Sequence, residues 1–398
     1  MFRPFLFVGC GGSGLKTIRA VRKNLITAME FQGLSASDFP DAWQFLAIDV
    51  PKSEDTPGGL QAYADNDYIG LSDNIAYRFT NGIDDQLAQR KNTQADFVTW
   101  RTDPENVAVN VDIGAGQYRA VGRAVGALTV GAKLQPAIEA AVNAMQSPKA
   151  TRQLRKLEEV FLGEVSHEGP PPAPVVFLVS SLGGGAGSGI FMDVADAIRR
   201  SSGPATKWLQ EVIGLLYDPS VFSDQNGFLA GGIPANTLAA MSEIVSGKWN
   251  ESAGAPYLPG IVGEPGEGRG PKYTFIFGRT NGRINLETSQ DAYTSAASVL
   301  SGLVLRPEVV TGMISFTVGN WPTDSAKSDA LKIHDNSTTF MKKPVSALGS
   351  GTISLGRDRF RLYAAERITS GALNAATQIP ALPGADTGLK TTEVIKQL

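Results

Sequence analysis

The residues best suited to chemistry in this chain are glycines. The run Leu182-Gly183-Gly184-Gly185-Ala186-Gly187-Ser188-Gly189 follows an apolar stretch, Val175 to Val179, and precedes a helical pattern, Ile190 to Arg200. Without Cβ atoms, the N–H groups of such a backbone can close around an anion, and the start of a helix favours negative charge. Gly183, Gly184, Gly185, Ala186, Gly187 and Ser188 therefore form a candidate phosphate cradle. A second loop of the same kind, Gly9-Cys10-Gly11-Gly12-Ser13-Gly14, sits between an apolar run (Phe5 to Val8) and a helical pattern beginning at Leu15. Gly11, Gly12 and Ser13 are its candidate contacts. A third, Gly114-Ala115-Gly116-Gln117, leads into another long helical pattern, and taken by itself it reads as an ordinary helix start.

Each loop has competing readings. Gly9-x-Gly11-x-x-Gly14 after a strand fits the dinucleotide fingerprint, but the acidic residue expected ~20 positions on is missing, since Asp49 lies further along. The same loop nearly spells a mononucleotide P-loop, with Leu15 inserted before Lys16-Thr17. One extra residue turns a helix by ~100°, which takes Lys16 away from the phosphates. An NAD(P)- or ATP-using enzyme built on this loop alone remains an alternative, although it leaves 183–189 unexplained. Other chemistry has little support. Cys10 is the single cysteine and the two histidines, His167 and His334, lack ligand-like spacing, so neither a disulfide nor a zinc site is expected. No G-x-S-x-G elbow occurs.

The elements that must position these loops follow from periodicity. Short apolar runs at Phe5–Val8, Trp43–Ile48, Val175–Val179, Val212–Tyr217 and Tyr273–Phe277 alternate with helical patterns at Leu15–Met29, Tyr118–Met145, Thr151–Val165, Ile190–Arg200 and Ala235–Ser246. That alternation predicts an α/β fold with a mostly parallel, doubly wound sheet, in which ligands bind at the carboxyl ends of the strands. Further strands are expected at Val107–Ile113, Val309–Val318 and Val345–Leu355, and further helices at Leu286–Leu305 and Arg359–Ser370. The predicted organisation is a nucleotide domain over 1–285 with an insertion at 51–103, a central helix over 286–305, a smaller α/β domain over 306–379 and a loose tail over 380–398. With 42% hydrophobic and 19% charged residues and a net charge of −3, the chain reads as soluble and globular, without a general basic field for nucleic acid. It has no apolar stretch long enough for a membrane span. One free cysteine fits a reducing, cytoplasmic setting.

The three loops together resemble the tubulin/FtsZ superfamily. Gly183 to Gly189 is similar to that family's signature loop, GGGTGTG, and Gly9 to Gly14 to its first glycine loop. Phe45-Leu-Ala-Ile-Asp49-Val-Pro resembles a tubulin segment, and Gly114 to Arg123 resembles FtsZ's third loop. Pro219-Ser-Val-Phe-Ser223-Asp224 with Asn236-Thr-Leu, then Ser346 to Gly351 leading to Ala364 to Ser370, continue the match in family order. The resemblance implies a bacterial-type GTP/GDP-binding protein with Mg²⁺, assembling head to tail into filaments, its nucleotide at the subunit interface. It places Gly11, Gly12, Ser13 and the 183–188 loop on the phosphates, Ala115 to Gln117 towards the γ-phosphate, and Asp49 at the site's edge. Ser223 and Asp224 would approach the ribose, and Asn236 and Asn281 the guanine. Each Asn also reads as a cap or turn residue, and Asn285 competes with Asn281.

The departures from the family lie at the catalytic end. Ala186 replaces a Thr, and the region of the catalytic loop reads Gly319-Asn320-Trp-Pro-Thr-Asp324-Ser-Ala-Lys-Ser-Asp329 in place of the family's acidic motif. Asp324 and Asp329 are the candidate catalytic carboxylates; a helix cap and a solvated charge are the alternatives. A GTP-binding scaffold without hydrolysis stays open beside an active GTPase. The second domain reads as short against its FtsZ counterpart, as in a minimal or truncated version. Adaptor proteins could engage the C-terminal tail.

Overall fold

The computed structural model describes residues 2–54, 62–63, 67–72, 107, 109–163, 169–224, 228–249, 270–326, 345–349 and 357–377. Most of the 51–103 insertion, the segment 250–269, Asp329 and the tail lie outside the described residues. The chain divides into two compact units, Met1–Ser350 and Gly351–Leu398. In the second, the described element is one helix, Arg357–Thr377.

In the first unit, seven described strands make one sheet: β1 (Phe5–Cys10), β2 (Trp43–Asp49), β3 (Tyr68–Gly70), β4 (Val175–Ser181), β5 (Ile213–Tyr217), β6 (Tyr273–Phe277) and β7 (Ser346–Ala347). Their order is β3-β2-β1-β4-β5-β6-β7, and every pair is parallel. The expected α/β, doubly wound class is what the chain adopts. The central strands are apolar on consecutive residues because helices cover both faces. Leu6, Val8, Leu46, Ile48, Val176, Leu178 and Leu216 point into one core, and Phe5, Phe7, Trp43, Phe45, Phe177, Leu215 and Tyr217 into the other. In the second core Phe5, Phe7, Phe45 and Phe177 stack with neighbouring centroids 5.1–6.2 Å apart.

The first core is closed by α2 (Arg119–Met145), α4 (Ala186–Arg200) and α5 (Phe228–Trp249), the second by α1 (Gly11–Phe31), α3 (Pro148–Leu162) and α6 (Ser289–Leu305). Local signals account for several helix ends. The Ser147 hydroxyl accepts from Ala150 N at 3.0 Å with Pro148 at the first helical position, and Gly163 ends α3 in the left-handed conformation, φ 79°. Thr288 and Asp291 form a reciprocal capping box at the start of α6.

Two expected strands are absent from these positions. Val109 and residues 110–113 lie in an irregular segment and a turn, with one bridge residue at Asn110. The expected strand Val309–Val318 is helical, within α7 (Pro307–Ala326). Its buried or half-buried residues, Val310, Met313, Ile314 and Thr317, recur at helical spacing, and Pro307 with Glu308 supplies a helix start. The expected strand over Val345–Leu355 is described only at Ser346–Ala347, where it pairs with β6.

Candidate functional site

β1 and β4 are neighbours in the sheet, and the chain leaves β1 to opposite sides of the order from that point. Ligands bind at such reversals, outside the carboxyl ends of the strands. Both glycine loops arise there. The loop after β1 becomes the first turn of α1, and the loop after β4 becomes the first turn of α4.

The glycines are required because the loops pack backbone against backbone. A Cβ on Gly11 would lie 2.5 Å from Gly187 N, and Gly11 has φ +69°. A Cβ on Gly187 would lie 2.5 Å from Cys10 O. A Cβ on Gly185 would lie 2.1 Å from Gly116 O, so the third loop also closes onto this point. Gly12 differs: nothing stands within 4 Å of its missing Cβ, and at Gly184 only the Ser181 hydroxyl does, at 2.9 Å. The cradle is thus tight where loops meet and open at Gly12.

Polar side chains fix the loops. Ser188 Oγ donates to Gly184 O, and Ser180 Oγ donates to Cys10 O at 3.2 Å. Asn236, on α5 and 8% exposed, donates from Nδ2 to Gln117 O at 2.7 Å, Gly183 O at 3.0 Å and Gly184 O at 3.3 Å. Ala115, within the third loop, is buried. Asp49 ends β2, one residue beyond the Cys10–Ile48 pairing, and its Oδ1 accepts from Val50 N at 2.8 Å. Burial, with a smaller contribution from the Asp49 charge, pushes the Cys10 thiol well above its ordinary pKa. Burial thus favours the thiol form of Cys10 within the first glycine loop.

Ser223 and Asp224 follow β5, the strand next to β4. Arg279 Nη1 donates to Ser223 Oγ at 2.7 Å and to the Asp224 carboxylate, whose other oxygen accepts from Ser289 N at 3.0 Å. Arg279 also donates through Nε to Leu286 O at 2.9 Å and through Nη2 to Glu287 O. The Arg279 hydrogen bond, then the Ser289 N–H, holds the Asp224 carboxyl below the usual carboxylate range. Asn281 sits in an exposed turn, with Oδ1 accepting from Arg283 N at 3.0 Å and Ile284 N at 2.8 Å. Asp324 falls in the last turn of α7, and Asp329 lies outside the described residues.

Several residues here escaped sequence reasoning. Tyr293 Oη is 3.1 Å from Ser13 Oγ, Thr17 Oγ1 is 2.6 Å from Tyr217 Oη, and the two tyrosine rings meet edge-on at 5.2 Å. Burial raises both phenols, so they remain hydroxyls able to donate. They bind the first turn of α1 to β5 and α6. Arg119 opens α2 immediately after the third loop, pairs bidentately with Glu243 of α5 at 2.9 and 2.8 Å, and donates through Nε to Ser188 O at 3.1 Å. Arg279, Tyr293 and Glu243 meet partners tens to hundreds of positions away, and no local pattern marks them. Among the described residues, no group of three or more His, Cys, Asp or Glu is placed to hold a metal ion. Among the same residues, no single helix is long and apolar enough to cross a membrane.

A protein-family model described as "Tubulin like" matches residues 6–374. No match was found among curated proteins. Solved structures similar to the chain include CetZ from Methanosaeta thermophila strain DSM 6194, with 9% identity, TM-score 0.33, and coverage of 84% of this chain and 57% of that one. CetZ2 from Haloferax volcanii, described as a GTPγS-bound protofilament, has 13% identity, TM-score 0.38, and coverage of 82% and 63%. A GTPγS-form protofilament of TubZ from Bacillus thuringiensis serovar israelensis has 16% identity, TM-score 0.34, and coverage of 77% and 57%. The chain thus spans 57–63% of the length of these three structures.

Proposed function

The chain belongs to the tubulin-like family, and from that premise we propose that it binds guanine nucleotide at the carboxyl edge of β1 and β4 and assembles head to tail into filaments. The observation that carries the proposal is the convergence of three glycine loops at the sheet's reversal point, tight at Gly11, Gly185 and Gly187 and open at Gly12. A cradle of that shape suits a phosphate chain: backbone N–H groups at the starts of α1 and α4 supply donors, and the absence of side chains lets the anion approach.

In this reading Gly11, Gly12, Ser13 and residues 183–188 hold phosphates, Ala115 to Gln117 cover their far end, and Asp49 borders them. Ser223 and Asp224, fixed by Arg279, face the sugar. Asn281 and Asn236 are the base-reading candidates carried by the family resemblance. Mg²⁺ neutralises phosphate charge when bound; with no preformed group of acidic ligands among the described residues, it would be held chiefly through the nucleotide itself. The proposed catalytic carboxylates are Asp324 and Asp329, acting across an interface by orienting water. A scaffold that binds GTP without hydrolysing it is the second reading, favoured by the departure of 319–329 from the family's acidic motif.

Equilibrium binding, pelleting and phosphate release on one preparation test all three parts. Binding with GTP-dependent pelleting and phosphate release supports the full proposal. Pelleting without release selects the scaffold, and loss of release in Asp324→Ala or Asp329→Ala with binding retained identifies the catalytic carboxylate. Absence of GTP binding refutes both readings.

A further inference from the structure

Asn236 lies on the buried stripe of α5, between Ile233 and Ala240, where an apolar residue would be ordinary. Its three near neighbours are all backbone carbonyls: Gln117 O, Gly183 O and Gly184 O. Only the amide nitrogen can satisfy them, and its two hydrogens are used by the two shorter contacts, with the third shared. Two turns further along α5, Glu243 takes both terminal nitrogens of Arg119, the first residue of α2, while Arg119 Nε reaches Ser188 O. One turn before Asn236, a Cβ on Gly232 would stand 3.3 Å from Gln117 O, so helix and loop are already in close approach.

We infer that Asn236 is a positioning residue that clamps the 114–118 loop to the 183–189 loop, with Arg119–Glu243 as the second fastening, and that it does not read the base. This inference rests on the proposed guanine-nucleotide site but replaces the role that family resemblance gives Asn236. The Gly183 carbonyl is buried and those of Gln117 and Gly184 are half-buried, so they favour a donor whether or not a ligand is present. The amide nitrogen, spent on three of them, has no hydrogen left to donate to guanine O6 or N7. The clamp makes α5 the element through which a change at the phosphate end is felt, because the third loop cannot lift without breaking contacts on this helix.

Hydrogen exchange on the full chain without nucleotide reads the clamp directly. Asn236→Ala should raise exchange at 114–118 and 183–189 by about tenfold, while β1, β4 and β5 keep wild-type protection. Glu243→Gln, a milder change, should loosen 114–118 in the same way. Unchanged loop exchange, or a rise spread evenly over the sheet, overturns the inference. Binding then separates the two roles of Asn236, with GTP, GDP and ATP as probes. The clamp predicts that Asn236→Ala lowers the GTP-over-GDP preference and leaves the GTP-over-ATP preference within about twofold of wild type. Loss of the GTP-over-ATP preference with GTP-over-GDP intact assigns Asn236 to the base and overturns the clamp. If the wild type binds neither GTP nor GDP, the nucleotide reading fails, and the exchange result still decides the clamp.

Discussion

At the scale of single residues, the site is defined by where a methyl group can and cannot go. Gly185→Ala places a Cβ 2.1 Å from Gly116 O, and such overpacking against backbone should cost about 3 kcal/mol or more, read as a fall in unfolding free energy. Gly12→Ala meets nothing within 4 Å and should leave stability within about 1 kcal/mol of wild type. Gly184→Asp should abolish nucleotide binding by setting a carboxylate among the phosphates; unchanged GTP affinity would refute the placement of that loop. Cys10, the sole cysteine and fully buried, should react with a thiol reagent about 100-fold more slowly in the folded protein than after unfolding. Fast labelling of the native chain would show that the β1 loop opens readily. The Asp224 carboxyl has a lowered pKa in the folded state, so its stabilising contribution is complete above the ordinary carboxylate value near ~4 and is lost as pH falls below it. The stability gap between wild type and Asp224→Asn should therefore shrink on acidification through that range; a gap independent of pH would contradict the pairing with Arg279. Gly11, Gly185 and Gly187 were readable because no other residue type tolerates backbone packed so closely. Arg279, Tyr293 and Glu243 were not, since each is defined by contacts that exist only after distant segments meet.

At the scale of elements, strands and helices with a strong apolar pattern are where the sequence placed them, notably β1, β2, α2 and β4. The failures have physical causes. Val309-Val310-Thr311 and Ile314 to Val318 are rich in β-branched and aromatic residues, which reads as strand. The buried positions 310, 313, 314 and 317 nevertheless follow the helical repeat, and tertiary packing overrode local propensity. At 107–113 the alternation of Val107, Val109, Val111 and Ile113 reads as strand, yet 111–113 form a turn. Helix α6 was legible from its long apolar pattern, and its residue Leu300 is fully buried against the second core. Leu300→Ala should destabilise the fold by about 2–5 kcal/mol, measured by denaturant unfolding. A loss under 1 kcal/mol would mean that α6 is not the tightly packed support described here.

At the scale of the whole molecule, the seven described parallel strands, with a reversal at β1/β4, put the loops after β1 and β4 on one edge, and the third loop closes onto them where Gly185 meets Gly116. For the loops after β1 and β4 this was foreseeable, because both follow strands in an alternating pattern; for the third it was not, since no strand precedes it at 109–113. The closure between loops, carried by Asn236 and by Gly185 against Gly116, was not. The central claim is that this edge is a guanine-nucleotide site. It is tested most directly by equilibrium binding of GTP, GDP, ATP and NAD to the purified chain, with Gly184→Asp as control. The account predicts that GTP and GDP bind wild type at least about tenfold more tightly than ATP or NAD and fail to bind Gly184→Asp. Preference for ATP or NAD, or guanine-nucleotide binding that Gly184→Asp leaves intact, would contradict it.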